Sequence, residues 1–151
     1  MSTKTRSVYP RRWTTPKRNT KHIGDLAETL FLVRALDHGL HLSKPIGDND
    51  RYDWIVVNQQ RQILRVQVKS TSTVVNGLYH VNSGRRTNAR VVPYTPREVD
   101  ILAVHVVPED TWYIIPIADL HARVSLLLYP RNHPKPGLYG AYREAWHLLD
   151  C

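Results

Sequence analysis

Apolar and polar side chains alternate through ILRVQVKS, residues 63 to 70: Val66 and Val68 share one face of an extended segment, and Arg65, Gln67 and Lys69 share the other. That period predicts a strand. YDWIVVN (52–58) predicts another just ahead of it, and the polar link Gln59 to Gln62 makes the two a hairpin. HLSKP (41–45) predicts a short strand closed by Pro45, and GDND (47–50) a turn. Further on, LYHVNS (78–83), VDILAVHVV (99–107) and TWYIIPI (111–117) predict three more strands, with PED (108–110) as the tight turn between the last two. The run ILAVHVV is apolar almost throughout, as in a strand covered on both faces.

The helical period appears once clearly. In TKHIGDLAETLFLVRALDHG (20–39), Ile23, Leu26, Ala27, Leu30 and Val33 recur at helical spacing, Thr20 can cap the start and Gly39 supplies the stop. AYREAWHLLD (141–150) predicts a short amphipathic helix after the Pro-rich loop YPRNHPKPG (129–137). Residues 1–20, with Pro10, Pro16 and many hydroxyl side chains, read as an arm, leaving 21–151 as the folded domain.

Composition narrows the partner. A chain of 151 residues, 42% hydrophobic, suits one domain with a real core. Its formal net charge of +8 points to an acidic polymer, and Lys4, Arg6, Arg11, Arg12, Lys17, Arg18 and Lys21 fall within the first 22 residues with no acid among them. The one cysteine, Cys151, excludes a disulfide within the chain and fits a reducing compartment. No apolar run resembles a signal peptide or a membrane span, so a cytoplasmic protein without a membrane partner is expected.

A lysine and a glutamine are costly to bury in a central strand, which asks what Gln67 and Lys69 are for. Asp53 opens the neighbouring strand, on a face that a hairpin brings within reach of them. Glu28 stands in the second turn of the helix, one turn after Gly24, whose missing side chain would permit a close approach. Two carboxylates, with the backbone carbonyl of Val68, make a hard-cation site of the magnesium type. The chemistry of such a set is phosphodiester hydrolysis, with Mg2+ polarising a phosphate and Lys69 orienting water or neutralising developing charge. Taken singly, each residue reads more simply as structure: a turn aspartate, a lysine on a solvated face. Their combination in order is what points to a site.

Helix with GDLAE, then GDNDRYDWIV, then RVQVKS: in this order the chain resembles the PD-(D/E)XK nuclease superfamily, and more narrowly its small homing endonucleases associated with group I introns. The resemblance runs from about Lys21 through YTPREVDILAVHV and WYIIPI to SLLLYP. It implies an α/β fold, a single restriction-endonuclease-like domain whose mixed central β-sheet is flanked by α-helices. By the same resemblance Asp53 is the motif aspartate and a metal ligand, Lys69 the motif lysine, and Glu28 the helix glutamate completing the metal site. Gln67 stands where most members carry Asp or Glu, and Tyr52 where many carry proline. A neutral glutamine offers a cation an oxygen without charge, and it also occurs in active members of the resembled subfamily.

The implied function is a magnesium-dependent, site-specific endonuclease acting on double-stranded DNA. One active site cuts one strand, so a homo-oligomer, dimer or tetramer, is expected. One alternative keeps the fold and changes the substrate, a Holliday-junction resolvase or repair nuclease; another, of a different class, is a DNA-binding module that has lost catalysis. DNA contacts are expected from Arg11, Arg12, Lys17 and Arg18 in the arm, and from Arg85, Arg86, Asn88 and Arg90 in the basic loop GRRTNAR, where arginine can fork onto guanine or phosphate and asparagine can read adenine. The eight histidines are scattered without zinc-ligand spacing, and no Gly-rich phosphate loop calls for a nucleotide cofactor. Tyr129, Tyr139 and Tyr142 interleave with Arg131 and Lys135 in a segment that suits either nucleic acid or a second subunit.

Overall fold

The computed structural model describes residues 19–150. Helix α1 spans Thr20–Asp37, and Asn19 rather than Thr20 caps it: the Asn19 side chain accepts the His22 N–H at 2.8 Å. Its end follows the expected glycine stop. Gly39 sits at a φ of 75°, and the Leu40 N–H returns to the Ala35 carbonyl at 3.0 Å.

The inward face of α1 differs from the expected one. Ala27, Phe31 and Ala35 are the buried residues, four apart, while Ile23, Leu26 and Val33 are exposed. Small alanines let the helix lie close to the sheet, and Phe31 fills the gap between Trp112 and Trp146, each 5.7 Å away between ring centroids. Truncating Phe31 would cost about 3–5 kcal/mol, the usual range for a buried aromatic.

Five strands form the central sheet: β1 (His41–Ser43), β2 (Trp54–Val57), β3 (Ile63–Thr71), β8 (Ile101–Val106) and β9 (Thr111–Pro116), paired in that order. All neighbours are antiparallel except β3 and β8, so the sheet is mixed. The chain between that parallel pair makes an excursion through β4 (Val74–Val75), β5 (Leu78–Asn82), β6 (Arg85–Thr87) and β7 (Arg90–Val92). β4 and β5 combine with β10 (Ser125–Leu128) into a second sheet of three strands.

Successive residues of β8 enter opposite cores, which is why all six are buried. Ile101 and Ala103 pack towards α1 with Val56, Val66 and Val68, while Leu102 and Val104 pack with Val81, Leu126 and Leu128 of the second sheet. The far face of the central sheet is thus covered by strands where flanking helices were expected.

Two further segments depart from the sequence reading. GRRTNAR is a hairpin, β6 and β7, turned by Asn88 and Ala89 at φ 45° and 65°, the left-handed pair a two-residue turn requires. AYREAWHLLD forms two 3-10 turns, Gly140–Tyr142 and Trp146–Leu149, in place of a helix. Glu144 explains the break. Its N–H donates to the Trp112 carbonyl and its carboxylate accepts the Trp112 N–H, both at 2.7 Å, pinning the backbone to the edge of β9 at a φ of 52°.

Candidate active site at the end of the β2–β3 hairpin

β2 pairs with β3 through Trp54 opposite Val66, and the Asp53 N–H still reaches the Val66 carbonyl at 2.8 Å. There β2 turns away, while β3 continues to Thr71 and leaves the Val68 N–H facing the vacated lane. The Asp53 carboxylate takes that N–H: Oδ2 accepts it at 2.8 Å. The same oxygen accepts Gln67 Nε2 at 2.6 Å, and the amide also donates to the Val68 carbonyl at 3.1 Å. Divergence of two strands thus creates a backbone donor that the aspartate satisfies and is fixed by.

Lys69 follows on the face of Gln67, half-buried, with Nζ 5.7 Å from the centroid of the Tyr94 ring. Tyr94 is buried and belongs to the core beneath the second sheet. Glu28 comes from α1. Its backbone carbonyl accepts Trp54 Nε1 at 3.2 Å, which ties the helix to the residue after Asp53, and its Oε2 lies 2.7 Å from Lys44 Nζ. Among the described residues nothing approaches Gly24 closely: a Cβ added there would have no neighbour within 4 Å.

Electrostatics show that these groups share one space. Burial pushes the Asp53 carboxyl up to about 6 from 3.8; the Val68 N–H opposes this, the Glu28 charge adds to it, and Lys69 and Lys44 pull it down. Burial likewise lowers the Lys69 ammonium, with Asp53 working against the shift. The Tyr94 hydroxyl is pushed up to about 12, first by burial and then by the Asp53 charge. Tyr94 and Lys44 were not singled out in the sequence. One sits between two prolines and the other at the end of the short predicted strand HLSKP, and neither carries a motif that would mark it.

No cluster of three or more His, Cys, Asp or Glu side chains stands together among the described residues. A cation would therefore take the Glu28 and Asp53 carboxylates, the Val68 carbonyl and the side-chain oxygen of Gln67, with water completing its shell, as magnesium accepts. The donor set fits. The electropositive Gln67 NH2 already lies between two of these oxygens, Asp53 Oδ2 and Val68 O.

The basic hairpin divides in two. Arg86, Asn88 and Arg90 are exposed, whereas Arg85 is tied inward, its Nη2 2.9 Å from Glu98 Oε1. Glu98 in turn accepts the N–H and hydroxyl of Thr95, next to Tyr94, at 3.0 and 3.1 Å. Arg85 thus braces the loop that supports Lys69. Arg11, Arg12, Lys17 and Arg18 lie outside the described residues.

The sequence profile of PD-(D/E)XK endonucleases matches residues 18–149. The chain belongs to the PD-(D/E)XK endonuclease family. Among solved structures it is similar to the bacterial homing endonuclease I-Ssp6803I, at 33% sequence identity and a TM-score of 0.75, over 87% of this chain and 93% of that one. A second match, MepB, is 13% identical with a TM-score of 0.44, over 75% of this chain and 87% of that one. No curated protein matches the chain. As a family member this protein is a nuclease of restriction-endonuclease-like fold, with DNA as the substrate the family implies. Among the described residues no helix is long and apolar enough to cross a membrane.

Proposed function

We propose that this PD-(D/E)XK endonuclease is a magnesium-dependent, site-specific DNA endonuclease of the intron-associated homing type, acting in the cytoplasm as a homo-oligomer. The observation that carries the site is the clasp on Asp53, whose Oδ2 is held by both Gln67 and the Val68 N–H beside Lys69. The homing class is supported by the similarity to I-Ssp6803I across most of both chains.

Bound magnesium would lower the pKa of a coordinated water and polarise the scissile phosphate. The chain's own residues do the rest. Asp53 and Glu28 supply negative charge on one side, and Gln67 turns its amide oxygen inward when its N–H groups are released from Asp53. Lys69 faces the phosphate, where its ammonium stabilises charge that grows in the transition state, a contact worth most when it is held in advance. Arg86, Asn88 and Arg90 on the hairpin tip, and the arm ahead of α1, meet the duplex beyond the cut. Each site cuts one strand, so a double-strand break calls for at least two copies.

Cleavage of supercoiled plasmid carrying candidate target sites tests the reading, with magnesium or with EDTA. Magnesium-dependent linearisation by the wild type, lost in Asp53→Asn, is the expected result. Cutting that survives in EDTA or in Asp53→Asn would remove the assigned site. Preference for a four-way junction over linear duplex would move the substrate to resolvase type, and binding without any cleavage would make the protein a binding module.

A further inference from the structure

Lys44 belongs to no motif, yet it meets the helix glutamate of the site. Its Nζ lies 2.7 Å from Glu28 Oε2 and 5.2 Å from the centroid of the Trp54 ring. The residue follows β1 directly, just before Pro45. Two ammonium groups therefore face the two carboxylates, and they differ in mobility. Lys69 is half-buried against Tyr94, whereas the Lys44 side chain is 55% exposed, on a flexible four-carbon stem.

We propose that Lys44 is an exchangeable counter-charge of this site: it holds Glu28 while no cation is bound, yields Glu28 to the cation, and then pairs with a backbone phosphate of bound DNA. The inference rests on the reading of Glu28 and Asp53 as a metal centre. Charge balance supports it. Glu28 and Asp53, with Asp25 further off, against Lys44 and Lys69 leave a net charge of about minus one, so a divalent cation entering beside Glu28 still leaves an excess of positive charge at close range. A DNA phosphate supplies the missing negative charge, and the exposed ammonium is the group free to reach it. The Trp54 ring keeps that ammonium at the mouth of the site in either state.

The test uses the full chain and calcium, a hard cation for the same oxygen donors, titrated calorimetrically without DNA. Lys44→Met keeps the stem and removes the competitor, so calcium should bind about two- to fivefold more tightly, the range of an exposed ion pair. Lys44→Arg keeps the pair and should match the wild type. With duplex DNA, Lys44→Met should lower the salt dependence of binding by about 0.9 log unit in calcium and leave it unchanged in EDTA. Unchanged or weaker calcium binding by Lys44→Met, with the wild type binding calcium normally, overturns the role of Lys44 alone. A wild-type chain that takes up no calcium overturns the metal centre and this proposal together.

Discussion

The Lys69 ammonium lies 5.7 Å from the centroid of the buried Tyr94 ring, so this lysine is held from below by an aromatic face. Burial alone disfavours that charge, and the negative face of the ring compensates part of the cost. Lys69→Met should cleave about 100- to 1000-fold more slowly than wild type while binding DNA normally in calcium. Tyr94→Phe, which keeps the ring, should stay near wild type. Tyr94→Leu should lose about 2- to 30-fold in rate, the span of one cation–π contact. Single-turnover cleavage with a parallel binding assay separates the two steps, and equal rates for Tyr94→Leu and wild type would leave the ring as packing.

Gln67→Glu replaces the amide that donates to Asp53 Oδ2 at 2.6 Å with a third negative charge. Without a cation the two carboxylates repel, so the variant should melt below wild type in EDTA. With calcium the added charge binds the cation, and the gain in melting temperature should exceed that of wild type. Melting curves with and without calcium check both signs; a calcium-induced shift equal to wild type would take Gln67 out of the cation's shell.

Asp53 carries a pH signature. Its carboxyl titrates at about 6 in the folded chain against 3.8 when free, so between those values the folded state binds more protons. This group's contribution to stability therefore falls as pH rises from 3.8 to about 6, and the cost stays in full above that. Asp53→Asn keeps an oxygen to accept the Val68 N–H and sheds the charge. It should be more stable than wild type at pH 7, by at most about 3 kcal/mol, while losing calcium binding. Urea denaturation at pH 4.5 and 7 measures it, and a stabilisation equal at both values would mean the carboxylate is not strained.

Arginines of the hairpin should behave differently although adjacent in sequence. Arg86→Ala and Arg90→Ala should each weaken duplex binding and lower its salt slope by about 0.9 log unit, with melting unchanged. Arg85→Ala should instead lower the melting temperature, because Glu98 loses its partner while half-buried. Salt-dependent binding isotherms and thermal melts on the three variants suffice. A normal melt for Arg85→Ala would return that residue to the DNA surface.

Away from the site, His105 is buried, stacked 4.6 Å from Trp112, and its Nε2 donates to Asp110 Oδ1 at 3.0 Å. Burial holds the imidazole below its ordinary 6.5, so the unfolded chain takes the proton first and stability drains as pH falls through 6.5. Asp110 is held below 3.8 by His105 and Arg34, against the effect of burial, and its share is lost only at still lower pH. Asp110→Ala should cost about 1–3 kcal/mol at pH 7, since it strands the buried imidazole. Arg34→Ala, which breaks the exposed half of the chain of contacts, should cost less than about 1 kcal/mol. Equal losses for the two, by urea denaturation, would mean that the buried hydrogen bond is not the stabilising one.

The sequence by itself determined the central strands, because period-2 alternation in β3 and an unbroken apolar run in β8 follow from which faces are covered. It also offered Gln67 and Lys69 as candidates, since polar groups in a strand stand out against the apolar pattern around them, and the resemblance joined Glu28 and Asp53 to them. Tertiary structure decided what depends on partners distant along the chain. α1 offers apolar residues on several sides, and only docking against Trp112 and Trp146 selects Ala27, Phe31 and Ala35 as the inner face. The last segment has helical spacing, yet two hydrogen bonds between Glu144 and Trp112 outweigh that local preference. Arg85 differs from Arg86 through Glu98, thirteen residues away in the chain. Lys44 and Tyr94 enter the site by the same route: an ammonium and a ring find their partners on elements distant along the chain, and no local period records a contact made at that distance.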